Sequence, residues 1–212
     1  MSVGGLPTIL AQVTVQSRSL QKSSQREKSL DIMVDNRLLC ARINSPFSFG
    51  QLSMNIEHQL NQLGIELPRP PIPGGNFVPT RMVGPFLYIS GQVPAINGQD
   101  HHIGKVGAEV SLEQAQDAAR LCAINILAQA KAALGGDLQR LRSCIRLGGF
   151  VNAAPDFAQH PKVINGASDL IGQVMGDAGR HVRVAVGCNS LPRNLAVEIE
   201  AVFEISPLQS GH

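Results

Sequence analysis

The chain has 212 residues, 43% of them apolar and 16% charged, with four cysteines, no tryptophan and a net charge of +2. That is enough chain for one globular domain with a tail, and too apolar for a wholly disordered protein. The charge balance argues against a dedicated nucleic-acid binder, whose basic face would be concentrated. No apolar run approaches the ~20 residues of a membrane-spanning helix.

Residues 1–53 hold six basic residues (Arg18, Lys22, Arg26, Lys28, Arg37, Arg42) and three acidic ones (Glu27, Asp31, Asp35). The remainder holds 12 basic and 13 acidic residues, a net of −1, so the positive excess sits in the first quarter. This segment lacks periodicity, and no basic start precedes an apolar stretch as in a secretory leader. Its acidic residues weaken a transit-peptide reading. The expectation for 1–53 is a disordered or non-native N-terminal extension. From Met54 the character changes: Ile56, Leu60 and Leu63 recur at helical spacing up to Gly64. The stretch LPRPPIPGG, 67–75, then reads as an extended connector, because proline lacks the N–H that a helix or ladder needs. The expected organisation is a short helix and proline-rich linker over 54–75, a domain over 76–206 and a tail over 207–212.

Within the domain, 77–83 and 86–90 read as two strands of a hairpin around Gly84-Pro85. Residues 95–108 read as a polar loop. Ser111 with Gln114 forms a capping box before a long helix, with residues 115, 118, 119, 122, 126, 130 and 133 on its apolar face. Gly135-Gly136 ends it. Residues 142–152 alternate as a strand, with Gly148-Gly149 marking a bulge or a close backbone approach. A second helix runs through KVINGASDLIGQVMG, its inner face Val163, Leu170, Ile171 and Val174. Two further strands, 181–189 and 194–205, flank SLPR. The order ββαβαββ predicts an α+β fold, both helices covering one face of a mixed sheet. The other face is left open, and a wide uncovered sheet face predicts an oligomer.

Arg183 shares a strand face with the small residues Ala185 and Gly187. Its planar fork suits a carboxylate; an ion pair to Glu198 or Glu200 on the next strand, or a solvated face, are the alternatives. Glu198 and Glu200 sit on an otherwise apolar strand, where a carboxylate either activates water or faces solvent. Gly91, in Ser90-Gly91-Gln92-Val93-Pro94, either brings a backbone N–H near a ligand oxygen or makes a turn. Cys40, Cys122, Cys144 and Cys188 fit no metal spacing and read as reduced structural thiols. The histidines form no ligand set, and no phosphate-binding glycine loop or nucleophile elbow occurs. Neither a metal nor an organic cofactor is expected.

SGQVP, the Asn of VINGASD, VRVAVGCNSLP and EIEAVFEI, in this order and spacing over about 76–206, resemble the RidA/YjgF family, also called endoribonuclease L-PSP or chorismate-mutase-like. The proline-rich lead resembles a longer-chain branch. The resemblance implies a homotrimer with the sheets forming a central barrel and a ligand cleft between subunits. It implies hydrolysis of 2-aminoacrylate-type imines to 2-keto acids and ammonia. The carboxylate-binding arginine would be Arg183, the water-associated glutamate Glu198, the turn glycine Gly91 and the cleft asparagine Asn165. Two positions depart from the pattern: Phe77 stands where the family has a tyrosine, and Ala185 where it has a cysteine. Both changes make the pocket more apolar. The alternatives are a non-catalytic sensor of small carboxylates and an RNA-cleaving enzyme. The last is disfavoured by the domain's net charge and its single tyrosine, Tyr88. The expected partners are a small 2-imino or 2-keto acid and further copies of the chain, in the cytoplasm, with no membrane or nucleic acid.

Overall fold

The computed structural model describes residues 33–34, 37–38 and 55–207. Strands β1 (Met33–Val34) and β2 (Arg37–Leu38) pair antiparallel in a unit spanning Met1–Gly50. The rest of the expected extension over 1–53, Cys40 and the tail beyond Pro207 lie outside the described residues. Everything below belongs to the second unit, Gln51–His212.

Its elements are α1 (Ile56–Gln62), β3 (Thr80–Val83), β4 (Phe86–Gln92), β5 (Ala95–Ile96), β6 (Gln99–Asp100), α2 (Leu112–Ala133), β7 (Leu141–Asn152), α3 (His160–Met175), β8 (Val182–Cys188) and β9 (Val197–Ile205). The fold is the α+β arrangement read from the sequence. A five-stranded sheet runs in the order β3-β4-β9-β7-β8, with β7 and β8 parallel and the other neighbours antiparallel.

Alternation along the strands separates two faces. Leu87 and Ile89 of β4, Leu147 and Val151 of β7, and Ile199, Ala201 and Phe203 of β9 are buried on one side. Helices α2 and α3 cover that side, contributing Ile126, Leu127, Ile164, Leu170 and Ile171, all fully buried. Burying each such side chain contributes about 1.5–3 kcal/mol. The alternate positions face away from the helices: Phe86 and Tyr88 on β4, Val182 and Val186 on β8, all exposed. This is the open face that the alternation predicts.

The capping box of α2 is present, with Ser111 accepting from the Gln114 amide and Gln114 reaching back to the Ser111 amide at 2.9 Å. The expected face of α2 is buried, Ala133 only partly. Burial also extends to Ile124, Leu127 and Ala128, because loops cover a second face of this helix. Asn125 donates to the carbonyls of Val93 and Ala95 at 2.9 and 2.8 Å, and Gln129 to that of Pro71 at 2.8 Å. The last bond ties the proline-rich connector to α2.

Three local expectations change, and at Gly148-Gly149 one of two alternatives holds. The first hairpin pairs only Thr80–Val83 with β4, so Phe77 precedes the ladder. The loop 95–108 contains the hairpin β5–β6, turned by Asn97 and Gly98 at φ 51° and 82°; Asn-Gly is a strong hairpin signal. Gly148 and Gly149 mark close approaches, to Glu200 and Ile164, and the register shifts of β7 lie elsewhere, near Leu141–Arg146. Finally, the core begins upstream of Asn76: Ile56 and Leu60 of α1 are buried in it.

Helices α2 and α3 cross at Gly166, where a Cβ would overlap the Gln116 backbone carbonyl. Gly166→Ala should destabilise the fold by about 1–3 kcal/mol, read as a lower urea midpoint. Gly172→Ala, with open space around it and an ordinary φ, should leave that midpoint unchanged or raise it.

Candidate active site

Arg183 lies on the edge strand β8, in register with Leu147 of β7. Leu147 faces the helices, and so do Arg183, Ala185 and Gly187. A Cβ at Gly187 would overlap the ring of His160 on α3, which agrees with this assignment. The guanidinium turns toward α3, where Nη1 donates to Asn165 Oδ1 at 2.9 Å and to Ser168 Oγ at 3.0 Å. Asn165 and Ser168 are one turn apart on that helix and so share its flank. Ser168 Oγ also meets His181 Nε2 at 3.0 Å, and His181 Nδ1 meets the Gly179 carbonyl at 2.6 Å. Arg183 is exposed and has no carboxylate partner among the described residues.

The expected alternative of an Arg183 ion pair with Glu198 or Glu200 is overturned by the strand order. The neighbour of β8 is β7, and β9 lies beyond it. Glu200 pairs instead with Arg146 at 2.5 Å, over Gly148. Glu198 lies over Gly91, where a Cβ would overlap its carboxylate. Gly91 therefore makes room for Glu198, a packing reason for the glycine that the turn reading did not anticipate. Glu198 is half-buried, and its carboxyl is raised above the ordinary glutamate value. Burial is the largest cause, the Glu200 carboxylate adds to it, and the Arg193 guanidinium partly offsets both.

A cavity of about 940 Å³ opens beside Gly91, lined by Pro71, Phe77, Ser90, Gln129 and Arg193 among others. Arg193 holds Asp100 at 2.8 Å from a left-handed backbone, φ 56°.

The residues singled out in the sequence thus form two groups. Phe77 and Gly91 line one cavity, with Glu198 packed on Gly91. Asn165, Arg183 and Ala185 sit together along the β8–α3 edge. Within one chain these groups do not meet. Glu198 is level with Phe150 and Val186, three residues along from Arg183, about 10 Å, and two strand spacings across, about 9–10 Å. Their side chains also leave opposite faces of the sheet. Sequence reasoning missed Ser168 and His181. The signals were an i, i+3 relation to Asn165 and an i, i+2 relation to Arg183.

The three described cysteines are unpaired. Burial raises all three thiols, Cys144 to about 12, Cys122 well above the ordinary value and Cys188 above it. Among the described residues no group of three metal-binding side chains gathers, and no helix is long and apolar enough to cross a membrane.

The raised Glu198 carboxyl carries a stability consequence. The folded state holds this proton to higher pH than the unfolded chain, so stability falls as pH rises from the ordinary glutamate range through the raised value. Glu198→Gln removes that loss. The variant should melt above the parent at pH 7, with the difference closing in acid below about pH 4, as followed by thermal denaturation across pH.

Residues 57–204 match the family model described as "YjgF/chorismate_mutase-like, putative endoribonuclease". Protein TCP17 of Trypanosoma cruzi is 41% identical over 155 residues, 73% of this chain and 96% of that protein. The crystal structure of Atu1372 of Agrobacterium tumefaciens, of unknown function, is 49% identical with a TM-score of 0.68, covering 74% of this chain and 97% of that one. A protein of Shewanella oneidensis MR-1 with the same endoribonuclease description is 34% identical with a TM-score of 0.69, covering 71% and 99%. With most of the chain aligned to the family model and full-length relatives at this identity, the protein belongs to the YjgF/RidA family.

Proposed function

We propose that the protein is an enamine/imine deaminase that hydrolyses reactive 2-imino acids of the 2-aminoacrylate type to 2-keto acids and ammonia. The observation that carries this reading is the Arg183 guanidinium, held on an exposed strand edge by two neutral partners with no carboxylate partner among the described residues. An arginine so placed keeps its charge for a ligand, and a planar carboxylate matches its fork.

The two groups of residues become one site when the β8–α3 edge of one protomer meets the Gly91–Glu198 side of another. Such a contact joins unlike surfaces, and heterologous contacts that close generate rings. A homotrimer is the ring the family resemblance implies. The exposed apolar side chains Val83, Phe86, Tyr88, Val182 and Val186 supply surface for it to bury.

In this site Arg183 anchors the substrate carboxylate. The protonated C=N carbon is already electrophilic. Glu198, its carboxyl raised by burial, takes a proton from water as the oxygen bonds to that carbon. It returns the proton to nitrogen, then takes the hydroxyl proton as the C–N bond breaks and the C=O forms, and passes that proton to the departing ammonia, which leaves as ammonium. No electrons are exchanged and no cofactor enters. General acid–base help of this kind contributes roughly 10²–10⁴-fold. The three described cysteines, unpaired and held as thiols, suit a reducing cytoplasmic setting.

A second reading, a non-catalytic sensor of small carboxylates, draws on Phe77 and Ala185, which remove a hydroxyl and a thiol from the pocket. Assays of keto-acid release from 2-iminopropanoate, run beside titrations with 2-oxobutanoate, separate the two. The deaminase reading expects turnover, with Arg183→Ala lowering kcat/KM by about 10²-fold while the oligomer stays intact. Binding without turnover selects the sensor, and parental turnover in Arg183→Ala overturns the assigned mechanism.

A further inference from the structure

The hydrogen bonds behind Arg183 form a directed chain. The Gly179 carbonyl can only accept, so His181 Nδ1, 2.6 Å away, carries a proton. In the neutral ring Nε2 then accepts, and the Ser168 hydroxyl at 3.0 Å supplies its hydrogen. With that hydrogen committed, Ser168 Oγ presents its lone pairs to Arg183 Nη1 at 3.0 Å. The second hydrogen of Nη1 goes to Asn165 Oδ1 at 2.9 Å. Both Nη1 hydrogens are thus spent on α3. The Nε hydrogen and the two on Nη2 have no partner among the described residues. Nε and Nη2 together form the side-on edge of the guanidinium, which accepts both oxygens of a carboxylate.

We propose that Ser168 and His181 are positioning residues, a relay from the Gly179 carbonyl that holds the Arg183 guanidinium with its Nε–Nη2 edge turned out to receive the ligand carboxylate. The proposal rests on the reading of Arg183 as the carboxylate anchor and adds what orients it. A long arginine on an exposed strand edge otherwise samples many rotamers, and freezing them weakens binding. The relay makes that ordering part of the fold, before the ligand arrives.

The test is calorimetric titration of the full chain with 2-oxobutanoate, beside kinetics with 2-iminopropanoate. Ser168→Ala and His181→Ala should each weaken binding about 3- to 10-fold and raise KM in proportion, with kcat little changed. Ser168→Thr, which keeps the hydroxyl, should restore affinity. In an Arg183→Ala background Ser168→Ala should cost nothing further, because the two act through one interaction. Nitrogen NMR of the parent should show His181 in the Nδ1–H tautomer. Parental affinity in Ser168→Ala, alongside weakened binding in Arg183→Ala, overturns the relay and leaves the anchor standing. So does an equal loss from Ser168→Ala in both backgrounds. Should His181→Ala fail to fold, the tautomer decides, an Nε2–H ring overturning the proposal. Parental binding in Arg183→Ala overturns the anchor and the relay together.

Discussion

The parallel pairing of β7 with β8 is the constraint on which the candidate site depends. Parallel neighbours cannot be joined by a tight turn, so the chain must cross over, and α3 is that crossover. The crossover helix packs back on the sheet and brings Asn165 and Ser168 against the outermost strand. Because β9 enters between β4 and β7, its glutamates are kept away from β8. Arg183 is left with neutral partners as a result of this topology. An antiparallel β8–β9 hairpin would have set Arg183 beside Glu198 or Glu200 and neutralised it.

The same strand order explains the behaviour of the glutamates. Glu198 and Glu200 face away from the helices, and each rests on a glycine of a neighbouring strand, Gly91 of β4 and Gly148 of β7. Those glycines are demanded by the carboxylates above them rather than by unusual backbone angles. Glu200 has Arg146 as its counter-charge. Glu198 has only Arg193 in opposition to its burial and to Glu200, and so it holds its proton more tightly. Two carboxylates one pleat apart thus acquire different characters, one neutralised within the chain and one able to exchange a proton.

What the sequence disclosed follows the range of the physics involved. Local periodicity gave the helices: the Ser111–Gln114 cap and the alanine-rich face of α2 are present as read. Alternation gave the two sheet faces, and with them the shared face of Arg183, Ala185 and Gly187. Strand neighbours are set by contacts remote in sequence, and no alternation pattern announces that β9 lies between β4 and β7. Hence the ion-pair alternative for Arg183 stood until the order was known. The i, i+4 pair Ile56 and Leu60 was too short a pattern, and too far ahead of the prolines, to read as core. Asn125 and Gln129 escaped notice because their burial depends on loops that fold over α2. Ser168 and His181 became visible only through Arg183, since each is an ordinary polar residue until a guanidinium lies against it.

The composition of the pocket limits the chemistry the proposed function can use. Phe77 and Ala185 supply neither hydroxyl nor thiol, and the thiol nearest in influence, Cys188, is raised by burial and by the Glu198 charge. A thiolate is the nucleophilic form of cysteine, so Cys188 is a poor nucleophile. What remains is the Arg183 and Arg193 guanidiniums, the Glu198 carboxyl with its raised proton affinity, and a lining that mixes apolar side chains with Ser90 and Gln129. Such a set cannot activate an inert bond, but it can hold a carboxylate and deliver water to a carbon that is already electrophilic. A protonated imine next to a carboxylate meets both conditions. An RNA phosphodiester does not: it asks for stabilisation of charge on a phosphorus centre and for bases to be stacked, and the domain offers scattered basic residues and one tyrosine.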